Sequence, residues 1–227
     1  METDSSKIVI NDIPCFSLLT DEQKLSVQKD CFSVSYRDGD VIFRQDSPVS
    51  YIMYVQSGLV KIHKEIKAGK ELIFSLEGSG SLIGQMTVYG GEIHQYSCSA
   101  IGQVDIVMVR IAVFLELIRQ NGDFASYILK ESNRQSLIVI TKLMSHSQKQ
   151  LPGRVADMLL YFSEELYNSH KFRLPLSRRE LADFVGTTKE SMIRTLAEFR
   201  HDRIIELDDK QVEILSYEAI TILSRYG

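Results

Sequence analysis

The distribution of glycine divides this chain into two regions that must fold differently. Nine of the 13 glycines lie between Gly39 and Gly102, and short runs of β-branched and aromatic residues separate them. Short runs of this kind, bounded by turn residues, are typical of an all-β sandwich or barrel. Residues 124–150, by contrast, contain no glycine and no proline, and their apolar residues recur at helical spacing. The sequence therefore predicts an α+β fold with its strands first and its longest helix after them.

The N-terminal region is predicted to be a jelly-roll-like β-barrel over residues 1–112. A short helix precedes its strands, because Thr20 and Gln23 stand at the two positions of a capping box. The apolar runs that we expect to form strands are residues 41–43, 51–55, 59–62, 72–76 and 104–109.

Residues 113–150 are predicted to form a linking helix that also pairs two copies of the chain. A helix of about 25 residues spans about 38 Å, and long unbroken helices often pair with a partner. The alternative is a helix that packs only along its own barrel. The residues expected at the dimer seam are Phe124, Ile128, Gln135 and Ile138.

Residues 151–227 are predicted to form a winged helix domain. The chain enters it through Pro152 and Gly153, which we interpret as a hinge, because proline ends the preceding helix and glycine frees the backbone. Residues 204–207 and 212–215 alternate between apolar and polar side chains around a short polar turn, which predicts the β-hairpin of the wing.

Two short helices joined by a tight turn are predicted inside this domain. Ser177 and Glu180 form a predicted capping box that begins the first helix, and Gly186 ends it with a positive φ. Thr187 and Glu190 form a second predicted capping box directly afterwards. Two helices joined by such a glycine turn are the signature of a helix-turn-helix. The apolar positions expected to anchor the second helix are Met192, Ile193, Leu196 and Phe199.

The second of these helices carries the side chains expected to read DNA. Recognition helices contact base edges mainly with their N-terminal residues. Arg194 suits a bidentate contact to guanine, and Glu190 suits an acceptor role toward cytosine. Residues 171–203 hold eight basic and five acidic side chains, a net charge of +3 within a chain of −4. The DNA contacts that we expect are Arg178, Arg179, Thr187, Thr188, Lys189, Glu190, Ser191 and Arg194.

With these motifs in this order, the chain resembles the Crp/Fnr family of transcriptional regulators. Residues 177–196 match the family's DNA-binding signature, with Lys189, Glu190 and Arg194 at its base-reading positions. The resemblance implies a bacterial, cytoplasmic homodimer that binds double-stranded DNA at a palindrome, contacts RNA polymerase and senses a signal in its barrel. Two-fold symmetry would place the recognition helices about 34 Å apart, one turn of DNA.

The sensing pocket departs from the family pattern. Members that bind cyclic nucleotides carry a Gly-Glu pair for the ribose and a later Arg-Ser or Arg-Thr for the phosphate. Here Gln85 replaces the glutamate, and residues 86–109 contain neither arginine nor lysine. A buried phosphate without a cation is poorly compensated, so cyclic AMP is not expected as the effector. The residues expected around an unidentified small-molecule effector are Gly84, Gln85, Met86, His94, Gln95 and Tyr96.

Cysteine and histidine usage limits the cofactors that the resemblance suggests. Three cysteines are too few for the family's four-thiolate iron–sulfur cluster. Their odd number and wide spacing favour a reducing cytoplasm over a disulfide framework. A redox-, haem- or nitric-oxide-responsive regulator of the same family stays an alternative, and no metal site is predicted. The candidate haem ligands are His63, His94 and His146, together with the seven methionines.

Other classes of function have less support in the sequence. The apolar runs are far shorter than the ~18 residues of a membrane span, and residues 1–10 lack the basic and apolar regions of a signal peptide. There is no glycine-rich phosphate loop, metal-ligand cluster or Gly-x-Ser-x-Gly elbow, so an enzyme is not expected. The remaining alternative is a small-molecule-binding module whose winged helix docks onto a protein partner.

Overall fold

The computed structural model describes residues 3–4, 13–67, 70–88 and 91–227. The chain divides into two compact units, residues 1–65 with 74–138 and residues 66–73 with 139–227. This division falls between Ile138 and Val139, whereas the predicted boundaries lie after residues 112 and 150. The prediction that residues 1–10 form no signal peptide lies almost entirely outside the described residues. Within the described ranges, no helix is both long enough and apolar enough to cross a membrane.

The first unit is built on a seven-stranded sheet whose described pairings are antiparallel. Strand β7 is central to it, because it pairs with β2, β3 and β4, and the main strand order is β1-β2-β7-β4-β5. This jelly-roll-like sheet confirms the predicted β-rich region. The strands are β1 (Thr3–Asp4), β2 (Cys31–Tyr36), β3 (Val41–Phe43), β4 (Tyr51–Lys67), β5 (Lys70–Gly78), β6 (Leu82–Ile83) and β7 (Ser97–Arg110).

The two strands predicted at residues 51–55 and 59–62 form one continuous strand, β4, which is irregular around Gly58. The pairing of β4 with β7 shifts register on both sides of Ser57, and Gly58 has a φ of +90°. A Cβ at Gly58 would lie 2.3 Å from the Gln103 carbonyl oxygen. Glycine is needed here because the backbone is left-handed and the neighbouring strand approaches closely.

Helix α1 (Asp21–Lys29) begins with the predicted capping box. The Gln23 N–H donates to Thr20 Oγ1 over 3.3 Å, and the Thr20 N–H donates to Gln23 Oε1 over 3.1 Å. Two helices follow the sheet, α2 (Ile111–Gln120) and α3 (Gly122–Gln148). They contribute Phe114 and Phe124 to a buried cluster shared with α1, and the centroids of these two rings are 5.4 Å apart.

Helix α3 packs one face against the core of the first unit. Phe124 and Ile128, predicted to contact a second copy, are instead 0% and 7% exposed within that core. That prediction is corrected, because side chains buried by their own chain are not available to a partner. Gln135 donates a hydrogen bond to the Leu82 carbonyl oxygen over 3.2 Å, and Ile138 is half-buried. The apolar side chains that α3 leaves exposed include Leu129, Leu137, Ile140, Leu143 and Met144.

The break after α3 lies before the predicted hinge residues. Helix α3 ends at Gln148, and α4 (Leu151–Tyr161) begins after a two-residue break. Pro152 and Gly153 therefore occupy the first turn of α4, where proline fits because the N–H groups have no helical partner. Gly153 is buried, and a Cβ on it would lie 2.6 Å from the Gly227 carbonyl oxygen. Glycine thus permits close packing at this position, and its role as a hinge stays a prediction.

The second unit contains the predicted winged helix. Strands β8 (Lys171–Arg173), β9 (Ile205–Asp208) and β10 (Gln211–Ile214) pair antiparallel in the order β8-β10-β9. The hairpin of β9 and β10 is the predicted wing, and Asp209 in its turn has a φ of +50°. A π-helical segment, Phe162–Leu166, follows α4. The remaining helices are α5 (Arg178–Val185), α6 (Lys189–His201) and α7 (Tyr217–Tyr226).

Replacement of Gly58 by alanine is expected to lower the free energy of unfolding by about 2 kcal/mol or more. The new Cβ would meet the Gln103 carbonyl oxygen while the backbone keeps a positive φ. Gly102→Ala is the matched control, because its φ is +71° but nothing lies within 4 Å of its Cβ. Only backbone strain of about 1 kcal/mol remains there. Equal losses for the two variants in chemical denaturation would contradict the role of the close approach.

Candidate nucleic-acid interface

The helix-turn-helix consists of α5, a turn at Gly186 and α6. The Glu180 N–H donates to Ser177 Oγ over 3.3 Å, and the Ser177 N–H donates to the Glu180 carboxylate over 2.9 Å. This reciprocal pair confirms the first capping box. Gly186 ends α5 with a φ of +72°, as its position after the helix predicts. A Cβ on Gly186 would lie 2.8 Å from Cε1 of His146, so the His146 ring would have to shift to accommodate it.

The second helix begins one residue later than predicted. Thr188 is the N-cap of α6, and its Oγ1 accepts a hydrogen bond from the Ser191 N–H over 3.2 Å. Glu190 is therefore the second residue of α6. In a capping box the acidic side chain belongs to the third residue, from which it accepts the N–H of the N-cap residue. The predicted capping box at Thr187 and Glu190 is wrong. The exposed Glu190 carboxylate is consequently available for another role.

One face of α6 is buried, and this fixes which side chains the helix presents outward. The buried side chains, each at most 3% exposed, are Met192, Thr195, Leu196 and Phe199. Ile193 was assigned to this core from the sequence, but it is 45% exposed, so that assignment is wrong. Residues spaced by three or four positions share one side of a helix. The exposed side chains include Lys189, Glu190, Ile193, Arg194 and Ala197.

The two arginines at the start of α5 have different surroundings. Arg178 is half-buried, and its guanidinium donates a hydrogen bond to the Asp209 carbonyl oxygen in the turn of the wing. Desolvation lowers the pKa of Arg178 from its ordinary value. Nε of Arg179 lies 3.5 Å from an Asp183 carboxylate oxygen, and 60% of the Arg179 side chain is exposed. Arg178 therefore attaches α5 to the turn of the wing, whereas the charged group of Arg179 is largely exposed to solvent.

A groove of about 400 Å³ runs between α6 and the wing. Its apolar lining comes from both elements, because Ile193 and Ala197 belong to α6 and Leu207 belongs to β9. Arg178 and Arg200 also line it, so the groove combines an apolar surface with positively charged groups. The residues that line it are Arg178, Ile193, Leu196, Ala197, Arg200, His201 and Leu207.

A half-buried lysine of α3, Lys142, contacts the first helix of the helix-turn-helix. Nζ of Lys142 lies 3.3 Å from the centroid of the Phe184 ring on α5 and donates to the Ile73 carbonyl oxygen over 2.8 Å. Desolvation lowers the pKa of Lys142 to about 7. Nε of Arg154, on α4, donates to the Val185 carbonyl oxygen over 3.2 Å. These contacts attach α5 to α3 and α4, and they had no recognisable signal in the sequence.

The residues predicted around an effector lie in the first unit and differ in burial. Gln85 begins a short 3₁₀ helix, directly after Gly84 with a φ of +95°. The Gln85 side chain is 6% exposed, and neither its oxygen nor its nitrogen has a hydrogen-bond partner. His94 is 2% exposed and stacks on Phe43 with ring centroids 3.9 Å apart. Burial lowers the pKa of His94, which favours a neutral ring. The remaining residues of the set are Met86 and Gln95, which are exposed, and Tyr96, which is half-buried.

The three cysteines are buried in two different clusters. Cys15 and Cys31 lie in the cluster with α1 and α2, and Cys98 lies in the other cluster, on β7. Burial raises the pKa of Cys15 to about 12 and also raises that of Cys98, which disfavours the thiolate form that binds metals. This donor set does not fit a four-thiolate cluster. In the part of the chain that the structure describes, no group of three or more His, Cys, Asp or Glu side chains is placed to hold a metal ion.

Sequence models of two known domains match this chain. The cyclic nucleotide-binding domain matches residues 33–121, and the Crp-like helix-turn-helix domain matches residues 153–221. The first match covers most of the β-rich unit, and the second covers the winged helix. The fold and the matches together define a helix-turn-helix regulator with a sensor-type β domain.

Similarity extends over most of the chain in curated proteins and solved structures. A "CRP-like cAMP-activated global transcriptional regulator" of Mycobacterium tuberculosis is 24% identical over 196 residues, 85% of this chain and 88% of that protein. The "Transcriptional activator protein anr" of Pseudomonas aeruginosa is 24% identical over 183 residues, 79% of this chain and 75% of that protein. The structure of FixK2 from Bradyrhizobium japonicum has a TM-score of 0.79 at 21% identity, and the match covers 87% of this chain and 98% of that one. The chain belongs to the Crp/Fnr family of transcriptional regulators, which are DNA-binding proteins rather than enzymes.

Proposed function

We propose that two copies of this chain bind one palindromic operator in double-stranded DNA, each with α6 in the major groove. The observation that carries this proposal is the exposed pair Glu190 and Arg194 on a helix whose opposite face is buried. A helix held in this way presents its N-terminal side chains at a fixed angle, as recognition helices do. The positive charge of residues 171–203 within an acidic chain supports the same reading.

Base reading is assigned to Arg194 and Glu190. The Arg194 guanidinium can donate to both O6 and N7 of one guanine, and the Glu190 carboxylate can accept from N4 of a cytosine. The side chains at the start of α6, together with the exposed Arg179, are assigned to phosphate oxygens. Arg178, which donates a hydrogen bond to the Asp209 carbonyl oxygen, is assigned to stabilising the wing instead of contacting DNA. The residues assigned to phosphate oxygens at the start of α6 are Thr187, Thr188 and Ser191, and Lys189 keeps its expected base-reading position.

The dimer seam is assigned to the exposed apolar side chains of α3. Crp/Fnr regulators are dimers, and large apolar side chains grouped on one helix face mark interaction sites. This set replaces Phe124 and Ile128, which the core of the first unit has already buried. The seam residues, each between 47% and 69% exposed, are Leu129, Leu137, Ile140, Leu143 and Met144.

The β-rich unit is proposed to sense a signal other than a cyclic nucleotide. Residues 86–109 supply no arginine or lysine for a phosphate, and burial favours the neutral form of His94. The Gln85 amide, buried without a partner, suits a neutral ligand that both donates and accepts hydrogen bonds. A contact with RNA polymerase, a haem-based signal and a cytoplasmic location stay predictions.

Replacement of Arg194 by alanine is expected to cost about 1–3 kcal/mol of binding to the selected operator and to relax specificity at one base pair. Arg225→Ala, which removes an exposed arginine of α7, is the matched control and should leave affinity unchanged. Fluorescence anisotropy on the operator and its single-base variants measures both effects. An equal loss on every DNA sequence would contradict base reading by Arg194.

A complex insensitive to salt would favour the protein-docking alternative, because DNA binding weakens steeply with salt.

Replacement of Leu143 by glutamate is expected to convert the dimer to a monomer, because it places a charge in the apolar seam. Leu143 is 69% exposed in the single chain, so the fold itself should tolerate the change. Leu25→Glu on α1, where the leucine is 58% exposed, is the matched control and should remain dimeric. Sedimentation equilibrium distinguishes the two states. A Leu143→Glu variant that dimerises as tightly as the unaltered chain would place the seam elsewhere.

Cyclic AMP is expected to change neither the melting temperature nor the affinity for the operator, because its phosphate would find no cation. A ligand at 100 times its Kd stabilises a protein by about 2.7 kcal/mol, so binding would be visible in a thermal shift. Gln85→Glu restores the family's glutamate but adds no arginine, and it should remain unresponsive as well. Saturable stabilisation of the unaltered chain by cyclic AMP would overturn this assignment.

A further inference from the structure

A large aliphatic side chain lies on the outer side of the recognition helix. Ile193 is 45% exposed, while the other large apolar side chains of α6 are at most 3% exposed. The buried face of α6 therefore has its own complete set of apolar residues and does not include Ile193. An isoleucine side chain has no hydrogen-bonding group, so Ile193 cannot form a hydrogen bond with a phosphate or a base edge.

The surroundings of Ile193 make it part of the surface assigned to DNA. Glu190 precedes it by three positions, Arg194 follows it directly, and Ala197 follows it by four positions, so the four share one side of α6. Ala197 is also exposed, and it lines the same groove as Ile193. The same surface continues into the groove beside α6, whose apolar lining includes Leu207.

Only one base presents an apolar group in the major groove. Thymine carries a 5-methyl group there, whereas the other base edges present hydrogen-bond donors and acceptors, and aliphatic side chains recognise that methyl by contact. Contact of Ile193 with a polar edge would bury unpaired donors or acceptors, which is unfavourable. The chemistry of this position therefore matches a thymine.

We propose that Ile193, together with Ala197, packs on the 5-methyl group of a thymine in each half-site of the operator. Because Ile193 directly precedes Arg194 on α6, this thymine lies in or beside the base pair that Arg194 reads. The inference rests on the proposed placement of α6 in the major groove. It adds a specificity-determining residue that reads by shape rather than by hydrogen bonds.

Removal of single methyl groups from the operator tests the proposal. An operator is first selected from random DNA, and each thymine is then replaced by deoxyuridine, symmetrically in both half-sites. For the unaltered protein, one position should lose about three- to five-fold in affinity per methyl group removed. For Ile193→Ala, the same replacement should have almost no effect. Ile222→Ala, which removes an isoleucine that is 50% exposed on α7, is the matched control and should keep the full sensitivity.

A second replacement separates the methyl group from the rest of the base. That T·A pair is changed to C·G, and the C is either cytosine or 5-methylcytosine. The unaltered protein should bind the 5-methylcytosine operator more tightly than the cytosine operator. Ile193→Ala should bind both with the same affinity. A selected operator at which deoxyuridine affects the unaltered protein and Ile193→Ala equally would overturn the proposal, while DNA reading by α6 would stand. Failure to select any operator would overturn the proposed function, and the role of Ile193 with it.

Discussion

The arrangement of the α6 side chains that we propose to face DNA depends on the burial of the opposite face of that helix. Successive residues of a helix point about 100° apart, so anchoring Met192 and Leu196 in the core determines where Glu190 and Arg194 point. The anchoring set, with Phe199, is at most 3% exposed. Side chains packed this closely do not rotate independently of the domain. A recognition surface built in this way is rigid, which suits hydrogen bonds to base edges that fail when misplaced by an ångström.

The C-terminal part of α3 carries residues of the proposed dimer seam and also contacts the helix-turn-helix. Residues 139–148 belong to the second unit. Lys142 contacts the Phe184 ring of α5, and its neighbour Leu143 is 69% exposed on the side assigned to the partner. A rotation of this part of α3 would therefore change the seam and the support of α5 together. A signal needs only to shift the population between two such arrangements to alter DNA affinity.

Local signals predicted most of the elements, whereas tertiary packing decided several of the outward-facing residues. The capping boxes at Thr20 and Ser177 are local, and both are present as predicted. Thr187 and Thr188 can each cap a helix, so the sequence alone could not choose between them. Phe124 and Ile128 were misassigned because a second copy and the chain's own sheet bury apolar residues at the same helical spacing. The exposure of Ile193 could have been predicted, because Met192, Leu196 and Phe199 already form a complete buried face at intervals of three and four residues. The contacts of Lys142 could not have been predicted, because no spacing rule marks a lysine that packs on an aromatic ring.

Protection of guanine N7 from methylation, mapped on an operator selected from random DNA, tests major-groove binding by α6 most directly. The proposed docking predicts protected guanines in two major-groove segments about 10 base pairs apart, related by the two-fold axis of the dimer. N7 lies in the major groove, so its protection reports an occupied groove and not only a contacted backbone. Full reactivity of every guanine N7 within a footprint that protects only the sugar–phosphate backbone would contradict it.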